Sequence, residues 1–427
     1  MAVNEGGYLD PNTGDYIGNS QYNFTVTIDT DVTGNVYGRR SVSGKDAEKA
    51  SVTITNGIVS KNVYGGYVEL EDADVSSNSV TISGDSTITG SVCGGLVNEG
   101  TGDATGNSVT ISGGTVNNFV FGGASDYGKA ASNNIIISDG TIKEDIIGGS
   151  SVSGEVASNT VSISGGTVNG EVYGGFALKG NVANNSVMIS GGTFTSESKF
   201  YAGDILTPSN STISDNLVNL TGNIIGLDRV DIYGYYFEEG SGTHSGNELH
   251  IGRAVDYDDE DNIQRDSEGN IKYKSDSSTT WYGKSSDGTA NNSINKIANF
   301  ETLALHSVAL DNDLPAIKAA SLENIGTVDI TDLKFYENSS EKTTFNIGDK
   351  MNLLTWENEK EALINLKYKL NGTGDEQTVA FSDNPNGITV KTLSVSEKDK
   401  GISFERTGTG GINKVDKALE FSFASIP

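Results

Sequence analysis

Along this chain, apolar residues alternate with polar ones over short stretches and then stop at paired glycines. Val161 and Ile163 flank Ser162, and Val168 and Val172 keep the parity of Gly170. A period of two, with no 3.6-residue stripe, predicts short β-strands, two per unit, joined at Gly-Gly corners. The unit spans Asn159 to Gly175 (NTVSISGGTVNGEVYGG) and recurs at Asn107 to Gly123, at Asn133 to Gly149 and, with one residue inserted, at Asn78 to Gly95. Weaker copies cover 25–38, 51–66, 185–203 and 216–234, with a fragment at 247–252.

The leading asparagines at 107, 133, 159 and 185 are spaced by 26 residues. Two short strands cannot bury an apolar face alone, so a fixed period of this size predicts a solenoid whose coils cover one another. The expected fold is all-β: a parallel β-helix, right-handed as parallel crossovers are, closed by a C-terminal β block. Eight or nine coils stacked at the inter-strand spacing make a rod about 40 Å long. Asn78, Asn107, Asn133, Asn159, Asn185, Asn216 and Asn247 then form a column in which each amide donates to the next. A second column, Tyr37, Tyr64, Cys93, Phe121, Ile147, Tyr173, Tyr201 and Tyr233, reads as stacked packing, because Cys and Ile share it with the aromatics.

Four regions follow. Residues 1–24 are a polar cap or lead-in, and 25–234 hold the repeats. Between strands, the stretches 67–77, 96–106, 124–132, 150–158 and 176–184 vary in sequence, and as loops at one place in each repeat they are expected on one side of the rod as a binding edge. Residues 235–298 are interrupted coils. There Tyr235, Tyr236 and Phe237 are expected at the surface, followed by the acidic run 256–262, a protruding hairpin over 262–274, and Trp281-Tyr282-Gly283 as the closing Tyr-Gly of a coil. Asp256, Asp258 and Glu260 have the first offsets of a calcium loop, but Asp261 stands where its glycine belongs and Ser267 where its glutamate belongs, so the run reads as solvated charge. Residues 299–427 have longer β-type runs and fewer glycine corners.

Composition sharpens this picture. An apolar fraction of 35% with 54 glycines suits a thin, turn-rich β-structure. Disorder would be the competing reading for a net charge of −28, but the strict Val/Ile alternation argues against it. With 57 acidic against 29 basic residues, nucleic acid is excluded as a partner. The lone Cys93 excludes an internal disulfide, no apolar run is long enough for a transmembrane helix, and MAVNEGGYLD does not read as a signal peptide.

Candidate chemistry is sparse. His244, His250 and His306 are the only imidazoles, and alternation places His250 outward on its strand as a surface residue. Gly84-Asp85-Ser86 is a repeat corner, and one cysteine with three scattered histidines makes no metal site. Parallel β-helices can carry paired carboxylates for polysaccharide cleavage, but Arg39, Arg40, Asp29, Asp31, Asp139 and Asp145 do not align into such a set. No catalytic residue, cofactor or metal is expected.

The repeated ISGGTV…VYGG unit, the segment Asn299-Phe300-Glu301-Thr302-Leu303 and the stretch Gly348-Asp-Lys-Met-Asn-Leu-Leu354 together resemble passenger domains of type V autotransporters. The resemblance covers nearly the whole chain. It implies a passenger exported to the cell surface, folding there as a β-helix with 299–427 helping to start folding, and tethered to an outer-membrane β-barrel outside these residues. The function expected is that of a non-enzymatic adhesin binding a host or bacterial surface protein or glycan. Tyr235, Tyr236, Phe237, Asp258, Asp259, Trp281 and Tyr282 are its candidate surface. A carbohydrate-active enzyme and a self-associating aggregation factor are the alternatives.

Overall fold

In the computed structural model the chain is a parallel β-solenoid. It is described for residues 4–18, 25–41, 44–69, 72–195, 198–254, 256, 264, 272, 282–284, 292–309, 317–331, 333–337, 340–341, 350–356, 364–369, 376–381, 409–415 and 418–424. Val26, Val52, Val80, Val109, Ile135, Val161, Val187, Val218 and Leu249 lie in register, one per coil, giving nine coils up to Ile251. All are buried. The alternation read from the sequence is therefore the alternation between core and outer face.

One coil shows why these residues build it. Ala104–Thr105 is a two-residue strand, Ser108–Val116 forms the next two sides with a bend near Gly114, and Val120–Ser125 forms the last long side. Val109, Ile111, Val116 and Val120 point into the main core. The corner before each asparagine is a single residue at positive φ: Ser77, Gly106, Ser132, Ser158, Asn184, Asp215 and Gly246. Small or Asx residues tolerate that conformation, which is why the repeat varies there among Ser, Gly, Asn and Asp.

The stretches expected to be projecting loops are instead a wall of the rod. Val75–Ser76, Ala104–Thr105, Ala130–Ala131, Val156–Ala157 and Val182–Ala183 stack as a second parallel sheet. Their apolar residues close satellite cores, one of Ala130, Val156, Ala177, Val182, Ile205 and Ile213, another of Ala47, Val68, Ala73, Val75 and Val97. The variable positions belong to the short turns between these strands and the long side.

Between the main and satellite cores runs the predicted asparagine column. Each Nδ2 donates to the Oδ1 of the next asparagine at 2.9–3.0 Å from Asn78 to Asn247. The same amides donate back to wall carbonyls such as Ala130 O and Val156 O, satisfying groups that water cannot reach. The second glycine of each pair makes room: a Cβ on Gly149 would come within 2.2 Å of Asn159 Nδ2.

At the N-terminus, Gly7–Leu9 and Tyr16–Gly18 pair antiparallel, and Tyr16 and Ile17 then pair parallel with Val36 and Tyr37, closing the first coil. At the other end, Leu249 registers with Leu303 and Leu303 with Val328, so the stack resumes after the excursion that follows Ile251. Strand Ser293–Leu305 runs unbroken through the boundary expected at 298/299. Antiparallel pairs, Lys350–Trp356 with Ala418–Ala424 and Ile364–Lys369 with Glu376–Phe381, follow the parallel stack. Among the described residues no helix is long and apolar enough to cross a membrane.

Candidate ligand-binding surface

Strand Asp231–Phe237 carries the first three candidate residues, and alternation sends them to different places. Tyr235 and Phe237 are half-buried against the satellite core, whereas Tyr236 packs on the tyrosine column. They are not one exposed aromatic patch. Tyr235 also stacks on the His244 ring, centroids 3.8 Å apart. Asp258, Asp259 and Trp281, with the acidic run and the hairpin at 262–274, lie outside the described residues save for isolated positions. The backbone of Tyr282–Lys284 pairs with Asn223–Ile225 on a different side of the coil, so it is not the closing Tyr-Gly; Ala298 registers with Tyr233 there instead.

Two of the three histidines are buried, which corrects the reading of His250 as a surface residue. His250 does point away from the main core, but its Nδ1 lies 3.1 Å from His306 Nε2 and its Nε2 lies 2.5 Å from Glu248 Oε2. His306 is also buried, and burial, followed by the neighbouring His250 and Arg253, holds its pKa well below the usual imidazole value. A segment returning from beyond the excursion covers the strand, which local alternation does not reveal. The third imidazole, His244, places Nδ1 2.6 Å from Glu301 Oε1.

The charged residues weighed for catalysis are dispersed among structural tasks. Asp31 accepts from the Ile58 N–H, Asp145 from the Glu171 N–H and Asp139 from Gly140 N–H. Asp29 accepts from Thr55 and Asn56, and Arg40 pairs with Glu69 at 3.3 Å. Among the described residues no group of three or more His, Cys, Asp or Glu is placed to hold a metal ion.

The most organised outward feature is the tyrosine column. Tyr37 and Tyr64 stack at 5.1 Å, Tyr173 and Tyr201 at 4.8 Å, and Tyr201 and Tyr233 at 5.2 Å, with ring planes within 14°. The strands put these rings outside the main core, yet Tyr37, Tyr173, Tyr201 and Tyr233 are buried and Tyr64 is half-buried, because further aromatic rings pack over them. Phe176 meets Tyr173, and Tyr236 meets both Tyr201 and Tyr233. Along the flank, Glu171 accepts from the Tyr173 hydroxyl, Lys199 reaches Glu171 at 2.9 Å, and Asp231 accepts from Tyr233 at 3.2 Å.

The sequence reading passed over one residue of the second column. Phe176 registers with Asp204, and Asp204 with Tyr236, so a short carboxyl stands between two aromatic rings one coil away on either side. Asp204 is fully buried; among the described residues neither carboxyl oxygen has a hydrogen bond of ordinary geometry, and the adjacent Ile205 N–H offsets its burial only in part. Burial, followed by the nearby Glu238 and Glu171 charges, raises its pKa from 3.8 to about 8. Its signal was present in the repeats: aligning the tyrosine-glycine segments puts Asp204 where the flanking copies carry Phe176 and Tyr236.

No family model matches the chain, nor does any curated protein or solved structure.

Proposed function

We propose that this chain is a non-enzymatic binding rod displayed outside the cell, an adhesin of the autotransporter passenger type. One observation carries the reading: the stack stays in register from Ile251 to Leu305 although about 28 more residues than the 26-residue repeat intervene, and Tyr282–Lys284 and Lys296–Ala298 are already back in it. An insertion that leaves the rod's hydrogen bonding intact is free to present side chains to a partner, while the coils beneath hold it at a fixed place. Its acidic surface keeps such a rod dispersed. The expected partner is a surface protein or glycan of a host or bacterial cell.

The packing of Tyr235 to Phe237 fixes how this is tested. Residues 255–281 are replaced by a short Gly-Ser linker, leaving strands Asp231–Phe237 and Tyr282–Lys284 in place. Saturable binding to a panel of host-surface proteins and glycans, lost in the deletion while circular dichroism is unchanged, is the expected outcome. Binding that survives the deletion rules out the excursion as the site. If the full chain binds nothing on the panel, but releases reducing ends or unsaturated product from polysaccharides, it is an enzyme instead.

A further inference from the structure

The tyrosine column attracts positive charge. Among the described residues all three cation–ring contacts fall on it: Arg40 over Tyr37 at 5.2 Å, Lys199 over Tyr201 at 6.0 Å and Lys296 over Tyr233 at 5.9 Å. The Asp204 carboxyl lies beside the same column, buried, with no hydrogen bond of ordinary geometry to either oxygen and only the adjacent Ile205 N–H to relieve it, in the coil between Phe176 and Tyr236. Native proteins rarely leave both oxygens of a buried carboxyl unmet, so each such case calls for an explanation. Lys199 acts on the carboxyl through its charge but does not bond it, because its Nζ is held by Glu171 at 2.9 Å. Aromatic faces attract cations, and a carboxylate beside them accepts the N–H groups of an ammonium.

We propose that Phe176, Asp204 and Tyr236 form a slot for a primary ammonium group on an alkyl stem, such as an aliphatic amine or a lysine side chain. The ammonium N–H groups donate to Asp204, the two rings pack the methylene stem, and Glu238 and Glu171 add negative potential. Asp204 is closed off in the free chain, so binding requires the half-buried Tyr236 to leave its contacts with Tyr201 and Tyr233. On binding, the Asp204 proton passes to solvent and the ammonium replaces it as the partner of the carboxyl. The slot is remote in sequence from 255–281 and is independent of where the rod is displayed, so the excursion deletion leaves it intact.

The test is isothermal titration of the full chain with n-butylammonium chloride, tetramethylammonium chloride and a short lysine-containing peptide, at matched ionic strength. The expected result is saturable, millimolar binding of n-butylammonium and at least tenfold weaker binding of tetramethylammonium, which has no N–H. Asp204→Asn keeps the shape and removes the charge, and it is expected to lose at least tenfold in affinity while its thermal midpoint stays at or above wild type. Tyr236→Ala, which removes one wall, is expected to weaken binding as well. Peptide binding alongside the amine identifies a protein side chain as an accessible source, and amine binding alone identifies a small molecule; both support the slot. No saturable binding of n-butylammonium, equal binding of tetramethylammonium, or unchanged affinity in Asp204→Asn overturns it.

Discussion

Asn247 donates to Glu301 twice, through Nδ2 at 3.1 Å and through its backbone N–H at 2.7 Å, both to Oε2. The contact ends the asparagine column in a group that can only accept. Every amide above it accepts on one side and donates on the other, so the column has a direction, and its last member needs a pure acceptor. Glu301 supplies one, and its other oxygen holds His244. Glu301→Gln keeps one acceptor but loses the charge assistance and the histidine pair, and is expected to cost about 1–2 kcal/mol. Glu301→Ala leaves the Asn247 backbone N–H unmet and its amide with only the 3.3 Å bonds to Ile213 O and Ser245 O, and is expected to cost about 2–3 kcal/mol. Urea unfolding of the two variants checks the order, and a neutral Glu301→Ala would show that the column needs no terminal acceptor.

Glycines of the repeat are not equivalent, and two substitutions separate their roles. A Cβ on Gly175 would come 2.6 Å from Asn185 Nδ2 and 2.9 Å from a Val156 methyl, atoms fixed by the column and the satellite core. Gly175→Ala is expected to destabilise by about 2 kcal/mol or more. Gly106 is required only for its φ of +63°, and its Cβ would meet nothing closer than 3.9 Å. Ser132 and Ser158 hold the same corner in the next coils, so Gly106→Asn is expected to stay within about 0.5 kcal/mol of wild type. Thermal unfolding of both variants gives the comparison.

These roles also mark what the sequence made legible. The asparagine column and its glycine neighbours repeat at every coil, so spacing alone places them. The satellite sheet does not announce itself, because Ala130–Ala131 and Val156–Ala157 are too short to show alternation and sit among polar turn residues. Parity correctly turned His250 away from the main core, but outward is not the same as exposed. His306, 56 residues later, lies against it. Asp204 was missed for the opposite reason: it breaks a column whose members are recognised only once the strands are aligned coil by coil.

Cys93 occupies the tyrosine column between Tyr64 and Phe121, fully enclosed, with its thiol donating to Gly95 O at 3.1 Å. Burial pushes its pKa up to about 12. Since the thiolate is the reacting species, native protein is expected to resist iodoacetamide at neutral pH and to be alkylated once unfolded in urea. Mass spectrometry of the intact chain reads the outcome. Fast labelling of the native protein would show that this coil opens locally.

Asp204 makes the stability of its coil depend on pH, and the sign follows from its raised pKa. Below 3.8 the carboxyl is protonated in both the folded and the unfolded chain, and ionisation costs nothing. Between 3.8 and about 8 the unfolded chain releases the proton while the folded chain retains it, so the unfolded state is favoured progressively as pH rises. The slope is at most about 1.4 kcal/mol per pH unit, and the loss is complete once the folded carboxyl also ionises. Asp204→Asn has no proton to release. Its advantage over wild type is expected to be small near pH ~4.5, to grow to a few kcal/mol by pH ~8 and to be constant above that. Urea unfolding of both proteins across this range, followed by tyrosine fluorescence, measures the difference directly. A difference that does not change with pH would mean that the folded carboxyl already ionises in its ordinary range, and that the slot between Phe176 and Tyr236 is open to water.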